Sequence, residues 1–473
     1  MLKIYLALAV GVLISTQNAF SMDILARDSR TGQPIKGAEI LVAPLPTPRI
    51  QVIKTDDEGR AQIDLSQEKS ALFNLTVYAE NFHIMTLVDI PKAQPLVTVN
   101  MMGHIQKVEK AEIKGLVQGF GRTPNDGWVD AALAASAPGL LDFVALDTDR
   151  FIGPSVPFEV AGFEFSIPGN FDIPRQVEFY KFFNVNLEKP GFELFPPAHV
   201  PIRLAALHAK LPFEQTIDAF RNKTGLINLI NKIQFQNLTY LEPQSYSGKE
   251  NVKMQLSIPL LKIHPLVPKS LAGWDKAYAS ILNVEKDGKD LLPMDLKVFP
   301  DGRRNPATLK LNGFQNNLQL EGHEELFISA ATHFPDQFET PPTSIQVTAQ
   351  LHETLDPNVP ETYVALSQPK ALSQNGIEWD SKNVDPQNKK DANLQVHTIV
   401  VDNQSALQWV IVMNADRKQF SFENWPAHWP TRDLTSSSWS QSYLATKEAL
   451  TLDSFNVNDL GQMVTHASYY RNM

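Results

Sequence analysis

Residues 28–42 read DSRTGQPIKGAEILV, and residues 55–65 read TDDEGRAQIDL. In each stretch a glycine-bearing turn runs into residues whose side chains alternate between two faces. Thr31-Gly32 and Asp57-Glu58-Gly59 are the turns, because glycine supplies the positive φ that a tight reversal needs. Ala38, Ile40 and Val42 recur at every second position, as do Phe73, Leu75, Val77 and Ala79, which is the period of a half-buried strand. Strands are expected near 22–27, 36–44, 50–54, 59–65, 71–80, 82–90 and 95–102. Short strands punctuated by turn signals every 8–12 residues or so predict a β-sandwich over 22–102.

The pair TGQPIKGAEILV and TDDEGRAQIDL, followed by LFNLTVYAENF, resembles the carboxypeptidase regulatory-like domain, a transthyretin-like β-sandwich. The resemblance covers residues 22–102 and nothing beyond. It departs from the family at Asn81, where glycine is usual before an aromatic. Asparagine tolerates left-handed geometry better than most residues, so the turn survives the exchange. What the resemblance implies is a seven-stranded scaffold or interaction module and not a catalyst.

Upstream, residues 1–21 carry one cation, Lys3, an apolar run from Ile4 to Ile14, and a polar stretch ending Ala19-Phe20-Ser21. Small residues at the two positions a signal peptidase reads predict cleavage between Ser21 and Met22. The apolar run is too short to cross a hydrocarbon core of about 30 Å. The chain is therefore expected to be exported, to the periplasm or beyond, with no membrane span after cleavage. It contains no cysteine, which excludes disulfides, thiolate metal sites and a cysteine nucleophile. An exported chain without cysteine fits a bacterial envelope better than a disulfide-forming secretory route.

With 42 Lys plus Arg against 52 Asp plus Glu, the chain lacks the basic footprint of a nucleic-acid binder. Its 473 residues suggest about three domains: the sandwich at 22–102, a β-rich middle domain at 103–243 and a β-rich C-terminal domain at 244–473. The last two could equally be one unit. Few helices are expected. One should begin at Pro212, with Glu214 in its first turn and Phe213, Ile217 and Phe220 on one face. Near the C-terminus, apolar runs at 396–401 and 406–413 flank Asp402-Asn403, predicting an antiparallel pair with Leu407, Trp409, Ile411 and Met413 on one face. The polar segment 375–393 reads as a long surface loop. The fold class expected is mainly β, a seven-stranded transthyretin-like sandwich followed by one or two further β-rich domains.

A regulatory-like module raises the question of a zinc peptidase beside it. None of the 11 histidines has a glutamate three residues on. His323-Glu324-Glu325-Leu326-Phe327 starts like HExxH but places Phe327 where the second ligand belongs, and His352-Glu353 has Asp356 there. The nearest serine-elbow string, GPSVP at 153–157, lacks the second glycine. Penicillin-binding-type fragments (Ser367 to Lys370, Ser373 to Asn375, Lys223 to Gly225) occur in the wrong order. No phosphate-cradling loop is complete, and Asp147-Thr148-Asp149 lacks the ligands of a calcium loop. No metal ligand set, catalytic residue or cofactor is assigned, and the motifs lean against an enzyme.

One cluster remains. Trp425, His428 and Trp429 crowd into WPAHWP (425–430), where two prolines prevent a regular strand. Rigid aromatic faces on such a loop suit sugar rings or peptide chains. The competing reading is a proline-bent corner whose indoles plug the end of a sandwich. The sequence thus leads to an exported, non-enzymatic binding or scaffolding protein whose partners are carbohydrate, peptide or another envelope protein. An exported hydrolase with a site assembled from distant residues is the alternative.

Overall fold

The structure is a computed structural model. It describes residues 21–29, 31–44, 51–104, 109–120, 128–136, 155–160, 163–168, 171–172, 174–176, 191–212, 215, 232–259, 262–266, 276–285, 291–299, 309–313, 323–332, 344–352, 363–364, 366–382, 389–402, 407–432, 434, 437–446 and 464–472. The regular elements described are β-strands gathered into several sheets, as a mainly β chain requires.

The N-terminal strands are β1 (Ser21–Asp28), β2 (Glu39–Pro44), β3 (Gln51–Lys54), β4 (Arg60–Asp64), β5 (Leu72–Tyr78), β6 (Ile84–Pro91) and β7 (Leu96–Met101). They form two layers. One is the three-stranded sheet β4-β1-β7, in which β1 runs parallel to β7. The other is built from β3, β2, β5 and β6. Ile24, Ala26, Ile63, Val97 and Val99 from the first layer pack against Ile40, Val42, Leu75, Val77 and Leu87 from the second. That shared core is the physical reason the alternation exists.

The turns are built as glycine permits. Gly59 has φ +72°, and a Cβ there would stand 2.5 Å from the Ala26 carbonyl oxygen. Asp56 organises the same reversal, its Oδ1 accepting from the Glu58 and Arg60 amides at 3.0 and 2.8 Å. Asn81 takes φ 72°, the left-handed conformation expected of it.

The second layer does not end at β6. The strand Leu407–Asn414 adds to it in parallel, with Trp409 opposite Ile84 and Val412 opposite Leu87. From there the sheet continues through Leu394–Asp402, Trp439–Thr446, Val464–Asn472, Ser344–His352, His323–Thr332, Lys276–Glu285 and Leu291–Phe299, to a total of twelve strands. The predicted pair at 396–401 and 406–413 is thus present as antiparallel strands. Leu407, Trp409, Ile411 and Met413 do share one buried face, while Val410 and Val412 on the other face join the N-terminal core. The strand is covered on both sides.

A separate core lies in the middle of the chain. There β8 (Glu112–Gln118) pairs with Gly191–Leu194 and with Lys249–Gln255, facing a sheet that contains β9 (Trp128–Ser136), Leu204–Pro212 and Gln234–Tyr240. Met254 and Leu256 belong to the same core as Ala111 and Ile113, so strands on both sides of residue 243 are paired.

Two local expectations change. Pro212 ends a strand opposite Trp128 instead of opening a helix; Gln215 within the expected helix is helical, and the rest of that helix lies outside the described residues. The segment expected as a surface loop at 375–393 contains the strand Gly376–Lys382, paired with Leu366–Ser373 and Gln419–Ser421. Ile377 and Trp379, each 1% exposed, carry it into the core. The signal segment 1–20 and Asp147-Thr148-Asp149 lie outside the described residues.

Candidate functional site

The candidate site begins at Trp409. Its strand is fixed against β6, and its indole Nε1 donates to Thr86 Oγ1 at 2.8 Å, itself 2.8 Å from Thr76 Oγ1. A buried indole N–H needs such an acceptor. With its polar edge anchored, Trp409 packs at steep ring angles against Phe420, Phe422 and Trp425, whose ring centroids lie 6.2, 4.7 and 4.9 Å away.

Residues 422–432 carry this aromatic layer back to the N-terminal sandwich. Pro426 and Pro430 lack amide donors and keep the stretch irregular, and a turn closes where the Trp429 amide donates to the Pro426 carbonyl at 2.9 Å. Trp425 meets Trp429 at 5.8 Å, and Trp429 meets Tyr78 of β5 at 5.3 Å. Beneath them lie Leu41 and Ala43 of β2.

Glu39 of β2 fastens the loop. Its Oε2 accepts from Trp429 Nε1 at 2.6 Å and from His428 Nε2 at 2.5 Å, and its Oε1 pairs with Lys54 Nζ at 2.9 Å. Burial alone would raise the Glu39 pKa. The bonds from Lys54, Trp429 and His428 outweigh it and hold this carboxyl at about 2.

On the far side of Trp425 sits Arg432. Its guanidinium carbon lies 4.7 Å from the Trp425 centroid, 5.3 Å from Phe422 and 5.7 Å from Trp409. Burial lowers its pKa, and the charge of Glu423 opposes that. Burial in turn raises the pKa of Glu423, whose Oε1 accepts from Asn74 Nδ2 at 2.9 Å.

Of the residues singled out by sequence, Trp429 is 4% exposed and works as a buried wedge. Trp425 is half-buried, and His428 is exposed beside it. The three are brought together, but the indole of Trp429 faces β2 and not solvent. Glu39, Tyr78 and Trp409 joined the site unannounced. Glu39 is 389 positions from His428, and no local pattern links them. Arg432 stood within reach of the eye, two residues past Pro430.

Two further histidines lie in buried polar networks. His397 accepts at Nδ1 from Trp439 Nε1 at 3.2 Å and lies 3.2 Å from Gln395 Oε1 through Nε2. Gln441 Nε2 donates to the same Gln395 oxygen. The indole donor makes Nδ1 the acceptor, so the proton belongs on Nε2. Burial depresses this imidazole to about pKa 3. In the middle sheet His208 stands between Asp130 Oδ1 at 3.3 Å and Asn237 Nδ2 at 3.2 Å. Both rings are 2% exposed or less, with both nitrogens engaged. A general base must reach a substrate proton, so these pairs act as packing elements. His323 opens a strand that also holds Phe327, and residues four apart on a strand are separated by about 13 Å, too far to share a zinc ion; the residues after His352 lie outside those described.

The fold and site define an all-β, multi-sheet protein whose N-terminal sandwich is bound into its C-terminal sheet by an aromatic loop. No family model matches the sequence, and no curated protein matches it. Among solved structures, the chain is similar to the Bacillus anthracis TIE protein at 9% identity and a TM-score of 0.17, covering 67% of this chain and 46% of that one. It is also similar to the shaft pilin SpaA from Lactobacillus rhamnosus GG at 10% identity and a TM-score of 0.14, covering 50% and 97%. The fimbrial protein FimP from Actonomyces oris gives 10% identity and a TM-score of 0.16, covering 84% and 98%.

Proposed function

We propose that this chain is an exported, non-enzymatic binding or scaffolding protein of a bacterial cell envelope. The observation that carries the reading is the twelve-stranded sheet that runs from the N-terminal sandwich into the C-terminal strands through the β6 pairing. A frame hydrogen-bonded across its units holds surfaces in fixed relation, which is what a scaffold requires. Three buried residues with acid–base capacity, Glu39 and His397 on this sheet and His208 on the separate middle sheet, are committed to internal bonds.

In this proposal residues 22–102 are a carboxypeptidase regulatory-like module and residues 1–21 an export signal. The glycine reversal at Gly59 and the left-handed Asn81 support the first. The loop 422–432, with Trp425 and His428 reaching solvent, is the binding surface, and carbohydrate, peptide or an envelope protein is its partner.

Expression of the full chain in a bacterial host, followed by fractionation and N-terminal sequencing, tests the proposal. A mature chain beginning at Met22 and recovered from the periplasmic or extracellular fraction is expected. A chain beginning at Met1 and confined to the cytosol would overturn it.

A further inference from the structure

The environment of Arg432 is chemically unusual. Three aromatic rings from two segments, Trp409 on a core strand and Phe422 and Trp425 on the loop, surround one cation at 4.7 to 5.7 Å. Ring faces attract cations through their quadrupoles, and enclosure by several rings is the arrangement that recognises alkylated ammonium groups. Glu423 supplies a nearby negative charge, held in place by Asn74. Yet the guanidinium is poorly served. Its Nη1 is buried and has no hydrogen-bond acceptor. A guanidinium carries five N–H donors, and a buried donor left unpaired is destabilising.

A cation without N–H groups would meet no such deficit. Its methyl groups would contact the ring faces, and its spread charge would need no acceptor at the position of Nη1. We propose that Trp409, Phe422 and Trp425, with Glu423 beside them, form a binding site for a quaternary ammonium group, occupied in this structure by Arg432 as a tethered competitor.

The geometry allows the exchange. Arg432 lies outside any strand, two residues past Pro430, so its departure breaks no sheet pairing. Trp425, Phe422 and Arg432 are all half-buried, so the cage opens to solvent on their side, while Trp409 forms its floor at 1% exposure. A tethered side chain competes at a high effective concentration. The wild-type chain therefore binds weakly, and displacement of the Arg432 side chain sets its affinity.

This inference deepens the binding half of the proposed function by naming a ligand class. It does not depend on export, so the purified chain can fail one test and pass the other. Choline, which is quaternary, and ethanolamine, which carries N–H donors, are titrated by calorimetry into the wild type, Arg432→Ala, Arg432→Gln and the double variant Arg432→Ala with Trp425→Ala. Arg432→Ala should bind choline about tenfold more tightly than the wild type and in preference to ethanolamine, and the double variant should lose that gain. Vesicles of phosphatidylcholine distinguish a lipid headgroup from a soluble ligand: co-sedimentation of Arg432→Ala points to the former, and response to free choline alone to the latter. If Arg432→Ala loses its cooperative melt, Arg432→Gln, which keeps the shape without the charge, is read in its place. Folded variants with no choline gain, or unfolding of both, would overturn the proposal and leave Arg432 as a structural pillar.

Discussion

Arg417 grips the carboxylate of Asp89 with two parallel bonds, Nε to Oδ2 at 2.7 Å and Nη2 to Oδ1. Asp89 belongs to β6 and Arg417 to the turn that follows the 407–414 strand, so the pair locks the parallel junction at one end. Asp89 also departs from regular strand geometry, with φ 63° beside a register shift between Phe73 and Leu75. Its amide donates to Asn74 Oδ1 at 3.2 Å.

Removing one partner should therefore leave a buried acceptor unserved. Arg417→Ala is expected to lower stability by about 1.5–3 kcal/mol, the range for hydrogen bonds to charged groups. Urea unfolding measures it. The double variant with Asp89→Asn should cost less than the sum of the two single changes. Strict additivity would show that the fork is not a working pair.

Glu39 predicts a response to acid. Its carboxyl is held at about 2, below the ordinary glutamate value of 4.5. A depressed carboxylate contributes stability above its unfolded pKa and loses it as pH falls through the folded one. The attachment of Trp429 should thus weaken between about pH 4.5 and pH 2. Tryptophan fluorescence should report that transition, and Glu39→Gln should abolish it while loosening the loop at neutral pH.

His397 works in the opposite chemical sense but fails in acid too. Burial holds it at about pKa 3, below the ordinary histidine value of 6.5, so the unfolded chain binds a proton that the folded chain refuses. Its contribution is complete above pH 6.5 or so and falls by about 1.4 kcal/mol per pH unit below that, until the folded group itself titrates. His397→Gln should flatten this slope in denaturation curves taken between about pH 6 and pH 4, even if its stability at neutral pH is lower.

Asn81 offers a cleaner backbone test. At φ 72° an asparagine is tolerated and a glycine is free. Asn81→Gly should be neutral or stabilising by a few tenths of a kcal/mol, whereas Asn81→Val should cost about 1–3 kcal/mol. Equal melting temperatures for the two variants would remove the constraint.

The sandwich strands were legible because each writes its burial into two-residue alternation, from Ala38-Ile40-Val42 to Phe73-Leu75-Val77. The pair around Asp402-Asn403 was legible for the same reason. Its second buried face, Val410 and Val412, was harder to interpret: a strand covered on both sides reads as one continuous apolar run. At 375–393 the polar residues hid a strand, although Asn375-Gly376 is a strong hairpin signal. The candidate site was half legible. Trp425, His428 and Trp429 drew notice by crowding. Glu39 and Trp409 could not, because only folding brings positions 39 and 428 together.

The junction of β6 with residues 407–414 also has a consequence in time. A strand edge with unpaired amides and carbonyls invites pairing with any other chain. When residues 21–104 have been synthesised, their natural cover is still some 300 residues from being made, and contacts so distant in sequence form late. For that interval the newborn N-terminal layer carries a bare edge at β6. A chaperone, the speed of synthesis or early folding of the middle core must keep it from the wrong neighbour until Trp409 arrives.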